Sequence, residues 1–288
     1  MAAISTLRFI SQFLFSHSNY KDPKYGQVLH PLLCFMISTL GYMYGSIKLE
    51  NNYTDQTIED FQVSQTSRNI IAIGFLFYVF LIIFARFGQA KFTIFYELMW
   101  ACNLSLISSA YAFWKNKPLI LASSMILVSI DQVLWYVDLL AFFLFRIWPI
   151  GVAKYLTWPS TTKLRLLTSF HHIFFLPLCL YFLRNQKVIP ITAWQISIGM
   201  GTILTIVSRL LTPKSILLKG QKEEIYLNLN LSRQLWKDIP FKFLTIVDDK
   251  PWYLALPFLS FMWNSGNYIL GYELLNRILK YLNQSQIL

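Results

Sequence analysis

Seven stretches of this chain are apolar for about the length that crosses a bilayer: residues 28–47, 69–86, 93–114, 119–145, 167–183, 190–211 and 252–275. A hydrocarbon core near 30 Å thick takes roughly 20 helical residues, and lipid offers the backbone no hydrogen-bond partners. The pattern therefore predicts an all-α, polytopic transmembrane helix bundle of about seven spans. Six is the alternative count, because the stretch at 167–183 is short. Only 14% of the 288 residues are charged, against about 25% in soluble domains. Nine Trp and an aromatic content of 17% suit two interfacial belts. The spans make one domain, 28–275, between an amphipathic N-terminal segment (1–27) and a C-terminal tail (276–288).

The formal net charge of +11 is not read as a nucleic-acid signal. Lys and Arg concentrate between the spans, most of them in connections on the N-terminal side, which predicts a cytoplasmic N-terminus and an exoplasmic C-terminus. The sequons at Asn52 and Asn283 then lie outside together. In the first 20 residues, Leu7, Ile10, Phe13 and Leu14 recur at helical spacing with one Arg and no acid. That reads as an interfacial helix, with an organellar presequence as the competing reading. The organelle is not fixed.

Polar residues inside the spans carry the chemistry. Glu97, Cys102, Asn103, Asp131, Asp138, His171, His172 and Asn264 all fall there. An ionisable group at bilayer depth costs roughly 2.5–3.5 kcal/mol on insertion scales, so such groups face a bundle interior or a wet cavity. Cys102, Ser105 and Ser109 form one small polar stripe at i, i+3 and i+7. Close helix packing explains such a stripe as well as chemistry does, and Gly41 and Gly45 read the same way. Asp131, Trp135 and Asp138 share a face of the fourth span, as a catalytic set or as interhelical pairing. A histidine is the usual base near neutral pH, and a thiol needs a neighbouring base or cation to react. Adjacent residues on a helix point about 100° apart, so one of His171 and His172 is expected to face a given partner.

Between the sixth and seventh spans, Asn228, Asn230, Arg233 and Lys237 suit a lipid head group and its phosphate. An amphipathic surface helix over 227–243 is the other reading. None of the three cysteines has metal-ligand spacing, and there is no Gly-rich phosphate loop, HExxH, CxxC or serine elbow. The sequence thus predicts neither a cofactor nor a metal.

The order of elements resembles a known family. Tyr96 to Ala110, around Cys102, is similar to the cysteine-bearing helix of the membrane family typified by human transmembrane protein 164 and bacterial YwaF. Gln132 to Trp135 with Asp138 follow, then Ser169-Phe-His171-His172 leading to Pro177, then Asn228-x-Asn230, then Pro251 to Leu254. The resemblance spans residues 93 to 270; Trp100 and Ala101 stand where the family pattern has His-Leu. It implies acyl transfer on phospholipids through a cysteine acyl-enzyme. Cys102 would be the nucleophile, His171 or His172 the base, and Asn228 and Asn230 would shape the site.

The leading expectation is therefore a membrane-embedded lipid-modifying enzyme using Cys102, His171, His172 and Asp138, the last orienting an imidazole as in a triad. Asn103, Trp135, Asn228, Asn230 and Arg233 are the candidate substrate contacts, and membrane lipids the partners. The alternative is a non-catalytic subunit of an organellar membrane complex with protein partners. A small-ion transporter using Asp131 and Asp138 ranks third.

Overall fold

The computed structural model describes residues 29–52, 58–159, 161–216, 225–235, 240–248 and 250–285. The N-terminal amphipathic segment lies outside them. Helix α1 covers Leu29–Asn52, and α2 covers Gln65–Ala90, opened by Ser64 accepting the Ser67 N–H at 3.1 Å. After a 3-10 turn, the one-turn α3 (Ile94–Glu97) precedes α4 (Ala101–Lys115), so the expected third span is broken at 98–100. Asn116 ends α4 in the left-handed region, its N–H capping Ala112 and Phe113. Pro118 then starts α5 (Pro118–Leu127), where its missing N–H costs nothing.

Helix α6 (Ser129–Phe145) leaves α5 at a 53° bend. The short α7 (Lys163–Thr168) and α8 (His171–Leu183) follow, then α9 (Ile191–Leu211). Strands β1 (Ser215–Ile216) and β2 (Ile225–Tyr226) pair antiparallel, with Ser215 opposite Tyr226. The last segment is continuous: α10 (Trp252–Gly266), a π-helical stretch Asn267–Glu273, and α11 (Leu274–Ser285). The residues expected as a tail are thus helical through Ser285.

Among the described residues, four stretches are long and apolar enough to cross a membrane, Leu29–Asn52, Gln65–Gly88, Lys163–Leu183 and Ile191–Leu211, and the bent α5–α6 pair makes a fifth if it is one span. The fold is a helical bundle of a multi-pass membrane protein, and among the described residues the expected count of about seven spans is not confirmed. At 15 residues, α4 rises only about 22 Å before it ends, whereas α10 continues without a break through the π stretch and α11 to Ser285.

The bundle is organised around α5. All ten of its residues are buried, as befits a helix apolar on every side. It packs against α1, α4, α8, α9 and the π stretch. Its two serines are satisfied: Ser123 donates to the Leu119 carbonyl at 2.7 Å, and Ser124 meets Ser108 of α4 at 2.6 Å. Ser105 donates to the Ser124 carbonyl at 3.3 Å, so this part of the α4 stripe is helix-packing polarity. The outer surface is greasy instead. Phe77, Phe80 and Phe84 of α2 and Phe143 of α6 are exposed, a face made for acyl chains.

The bend after α5 is held by one side chain. Asn267 is fully buried; it donates to the Leu127 carbonyl at 2.9 Å and accepts the Ile130 N–H and Ser129 hydroxyl at 3.2 Å each. The Leu127 carbonyl and the Ile130 N–H are backbone groups on either side of the break, where the helix ladder is interrupted. Glycines let the π stretch come this close. A Cβ on Gly271 would stand 2.2 Å from the Ser129 oxygen, and one on Gly266 2.2 Å from the Ile130 side chain. The expected close packing at Gly41 is not seen, since a Cβ there meets nothing within 4 Å.

Candidate active site

The site forms where α2, α4, α6 and the α7–α8 junction meet. Thr162 caps α7, accepting the Arg165 N–H at 3.2 Å. At its far end the chain tightens: Ser169 and Phe170 donate to the Leu166 and Leu167 carbonyls at 3.1 and 3.2 Å, an i→i−3 turn. Helix α8 then opens directly on the two histidines. Tyr78 of α2 staples this junction, accepting the His171 N–H at 3.1 Å and donating to the Leu167 carbonyl at 3.2 Å. Arg86, one helical face further along α2, donates to Thr168 Oγ1 at 3.1 Å and pairs with Glu97 at 2.9 Å.

Both imidazoles consequently turn the same way. Their ring centroids are 4.1 Å apart, which corrects the expectation that only one would face a given partner. That expectation assumes a regular helix, and His171 sits in the first turn after a tight junction. Donor atoms of Cys102, His171 and His172 all lie within 4.8 Å of one another. His171 is 2% exposed, and its Nδ1 donates to the Thr168 carbonyl at 2.9 Å. That bond fixes the tautomer and leaves Nε2, which is buried and has no hydrogen-bond partner, as a lone-pair acceptor. His172 lies 3.6 Å from Asp131 Oδ2 through its Nδ1 and is stacked on Trp135 at 5.4 Å between centroids.

Cys102 occupies the first turn of α4, the positive end of the helix dipole. The start of that helix is pinned from outside. Asn230 accepts the Ala101 N–H at 2.8 Å and donates to the Met99 carbonyl and Ser208 hydroxyl, both at 2.9 Å. Asn230 thus positions the cysteine helix. Asn228 serves its own loop, accepting the Arg233 and Gln234 N–H groups at 3.1 and 3.3 Å and donating to the Gln234 carbonyl at 2.7 Å. Arg233 reaches the Thr212 carbonyl at 2.7 Å at the end of α9. All three are engaged with protein rather than held open for a head group. Asn228, Asn230 and Leu231 take left-handed backbone angles, so the described part of 227–243 is a folded loop and not the surface helix expected.

The carboxylates divide differently from expectation too. Asp138 is fully buried and accepts three backbone N–H groups, from Ile150 at 2.8 Å, Gly151 at 3.2 Å and Ala153 at 3.0 Å. It holds the loop after α6; the carboxylate beside an imidazole is Asp131. The same loop carries Tyr155, which lies among Trp135, Ser169, Arg86 and Asp131; burial pushes its phenol above the usual range, while the Ser169 and Trp135 contacts and Arg86 oppose this. Asn103 donates to the Glu97 carbonyl at 2.8 Å, and its side-chain oxygen is buried without a partner.

Sequence reasoning missed Arg86, Tyr78 and Tyr155. Arg86 carried a signal, an ionisable residue at the end of an apolar span; the tyrosines carried none among 16 of their kind. Cys34 and Cys179 are buried elsewhere, and Asn264 donates to Ser260 at 3.1 Å, away from these groups in the chain's last segment. An apolar groove lined by Phe241, Leu244, Ile246, Phe258 and Met262 offers no reactive side chain. The chain matches no family model, no curated protein and no solved structure.

Proposed function

We propose that the chain is a membrane-embedded enzyme that transfers or hydrolyses lipid acyl groups through a Cys102 thioester. The observation that carries this reading is the convergence of thiol, paired imidazoles and carboxylate in one largely buried site. A nucleophile, a base and a group that orients the base are the parts such chemistry needs.

In this reading the His172 or His171 imidazole takes the Cys102 proton, and the thiolate attacks the ester carbonyl of the lipid. The imidazolium then protonates the departing alcohol, leaving the acyl group on sulfur. Water or a second lipid alcohol, deprotonated by the same imidazole, attacks the thioester and restores the thiol. Asp131 steadies the imidazolium, and Trp135 fixes its plane. The Asp131 side chain is 29% exposed against 12% for His172, so an acyl chain would enter on the Asp131 side. With the N-terminus cytoplasmic, that entry faces the cytoplasmic leaflet.

The test is labelling of detergent-purified protein with a lipid-tailed iodoacetamide, followed by intact-mass measurement after incubation with phospholipid. Wild type should label at Cys102 and gain a hydroxylamine-sensitive acyl mass. Cys102→Ser should lose both, and His171→Ala with His172→Ala should lose the acyl mass. Equal, weak labelling of Cys34, Cys102 and Cys179 with no acyl adduct would overturn the reading.

A further inference from the structure

We propose that Cys102, His171 and His172 form a divalent-metal site of the zinc type, with three protein ligands and one open position. Four independent features of the site support it. The three side chains are a donor set that zinc prefers, sulfur and imidazole nitrogen, and their donor atoms already lie within 4.8 Å of one another. A bound ion needs these atoms drawn in by only fractions of an ångström to about an ångström each, which side-chain torsions supply.

The second feature is the outer partner of His171. His171 donates its Nδ1–H to the Thr168 carbonyl at 2.9 Å, whereas His172 Nδ1 stands 3.6 Å from Asp131, beyond a hydrogen bond, and is buried without a partner. Metal-binding histidines are commonly oriented in this way, by a carbonyl or carboxylate on the nitrogen that does not bind the metal. His171 is thereby set to offer Nε2, and His172 brings a second unpartnered ring nitrogen to the cluster. The third feature is an unpaid lone pair: His171 Nε2 is buried with no hydrogen-bond partner. A buried polar atom left so costs on the order of 1–3 kcal/mol, and metal ligation relieves that cost.

Charge is the fourth. A divalent ion with the Cys102 thiolate and the Asp131 carboxylate forms a neutral set. The nearby cation, Arg86, is matched by Glu97 at 2.9 Å. Neutrality matters inside a membrane, where an uncompensated charge is expensive. The trio lies far apart in sequence, 69 and 70 residues from cysteine to histidines, so no spacing motif announces it. Ligation is balanced by release of the thiol proton to solvent as the sulfur–metal bond forms.

A consequence rests on the acyl-transfer reading: a metal on Cys102 withdraws charge from the sulfur that would attack a carbonyl. Metal occupancy would then slow thioester formation, making the ion a regulator of the same site.

The experiment is a cobalt titration of full-length, chelator-treated protein in detergent, read by the near-ultraviolet sulfur-to-cobalt band and the visible bands of tetrahedral cobalt. One equivalent should saturate both, and zinc should displace the cobalt. Cys102→Ser should abolish the near-ultraviolet band, and His171→Gln or His172→Gln should weaken binding at least tenfold. Asp131→Asn should weaken it about 10–100-fold, as outer-partner losses do. Each variant is first checked for an unchanged elution profile, and Cys179→Ser is the control expected to bind normally. No sulfur band in wild type, or a band indifferent to Cys102→Ser, would overturn the metal site. Iodoacetamide labelling of the same samples separates the two proposals: a labelled Cys102 without a cobalt band leaves acyl transfer standing alone. A cobalt band without any acyl adduct after chelation leaves the metal site alone.

Discussion

The two aspartates of α6 lie seven residues apart on one helix face, yet they do different work. Asp138 is enclosed and saturated, with three backbone N–H groups on its oxygens. Asp131 is partly open and meets an imidazole at 3.6 Å, longer than a formed hydrogen bond. A carboxylate whose lone pairs are spent on backbone holds structure, and one facing a titratable partner at loose distance is available for chemistry. The same contrast separates Asn267 and Asn230, whose amides are fully used, from His171, whose Nε2 is buried without a partner. At bilayer depth, polarity alone therefore does not mark function.

The largest effect should come from the enclosed end. Asp138→Ala strips partners from three backbone N–H groups, at a cost on the order of 3 kcal/mol or more. Heated size-exclusion profiles should show aggregation well below the wild-type temperature, and an unchanged profile would erase the distinction between the two carboxylates. Next comes the bend. Asn267→Ala leaves the Leu127 carbonyl and Ile130 N–H without their partner, and about 2 kcal/mol should be lost in the same assay. Wild-type stability there would mean that the broken helix holds itself.

Asn230→Ala probes the link between loop and site. It should lower stability by roughly 1–2 kcal/mol through the lost contacts at Ala101 and Met99. It should also slow iodoacetamide labelling of Cys102, because the first turn of α4 loses its outside support. Normal labelling would show that the cysteine helix is positioned by other contacts. The smallest effect on folding belongs to the open end: Asp131→Asn should stay within about 1 kcal/mol of wild type. Thioester formation should nonetheless fall roughly tenfold or more, as loss of an orienting carboxylate does. A variant that acylates normally would remove Asp131 from the mechanism.

Apolar runs of bilayer length made the helical membrane fold legible without coordinates, because lipid leaves an apolar chain few alternatives to a helix. Charge content made the exclusion of a soluble domain equally plain. The number of full crossings was not legible. The break at 98–100 and the bend after Leu127 both fall inside stretches whose overall apolarity reads as a single span, and the bend is held by Asn267, 140 residues away from its Leu127 partner.

The site divides along the same line. Intramembrane Cys102, His171, His172 and Asp131 stood out because ionisable groups are rare at that depth. The roles of Asp138, Asn228, Asn230 and Arg233 did not, since a carboxylate or amide reads the same in sequence whether its partners are a substrate or a loop backbone. Composition and period determine which segments leave water; only the packing of α2, α4, α6 and the α7–α8 junction decides which polar atoms meet one another. Hydrophobic burial depends on local pattern, whereas a reactive constellation requires close relations among residues that lie far apart in the chain.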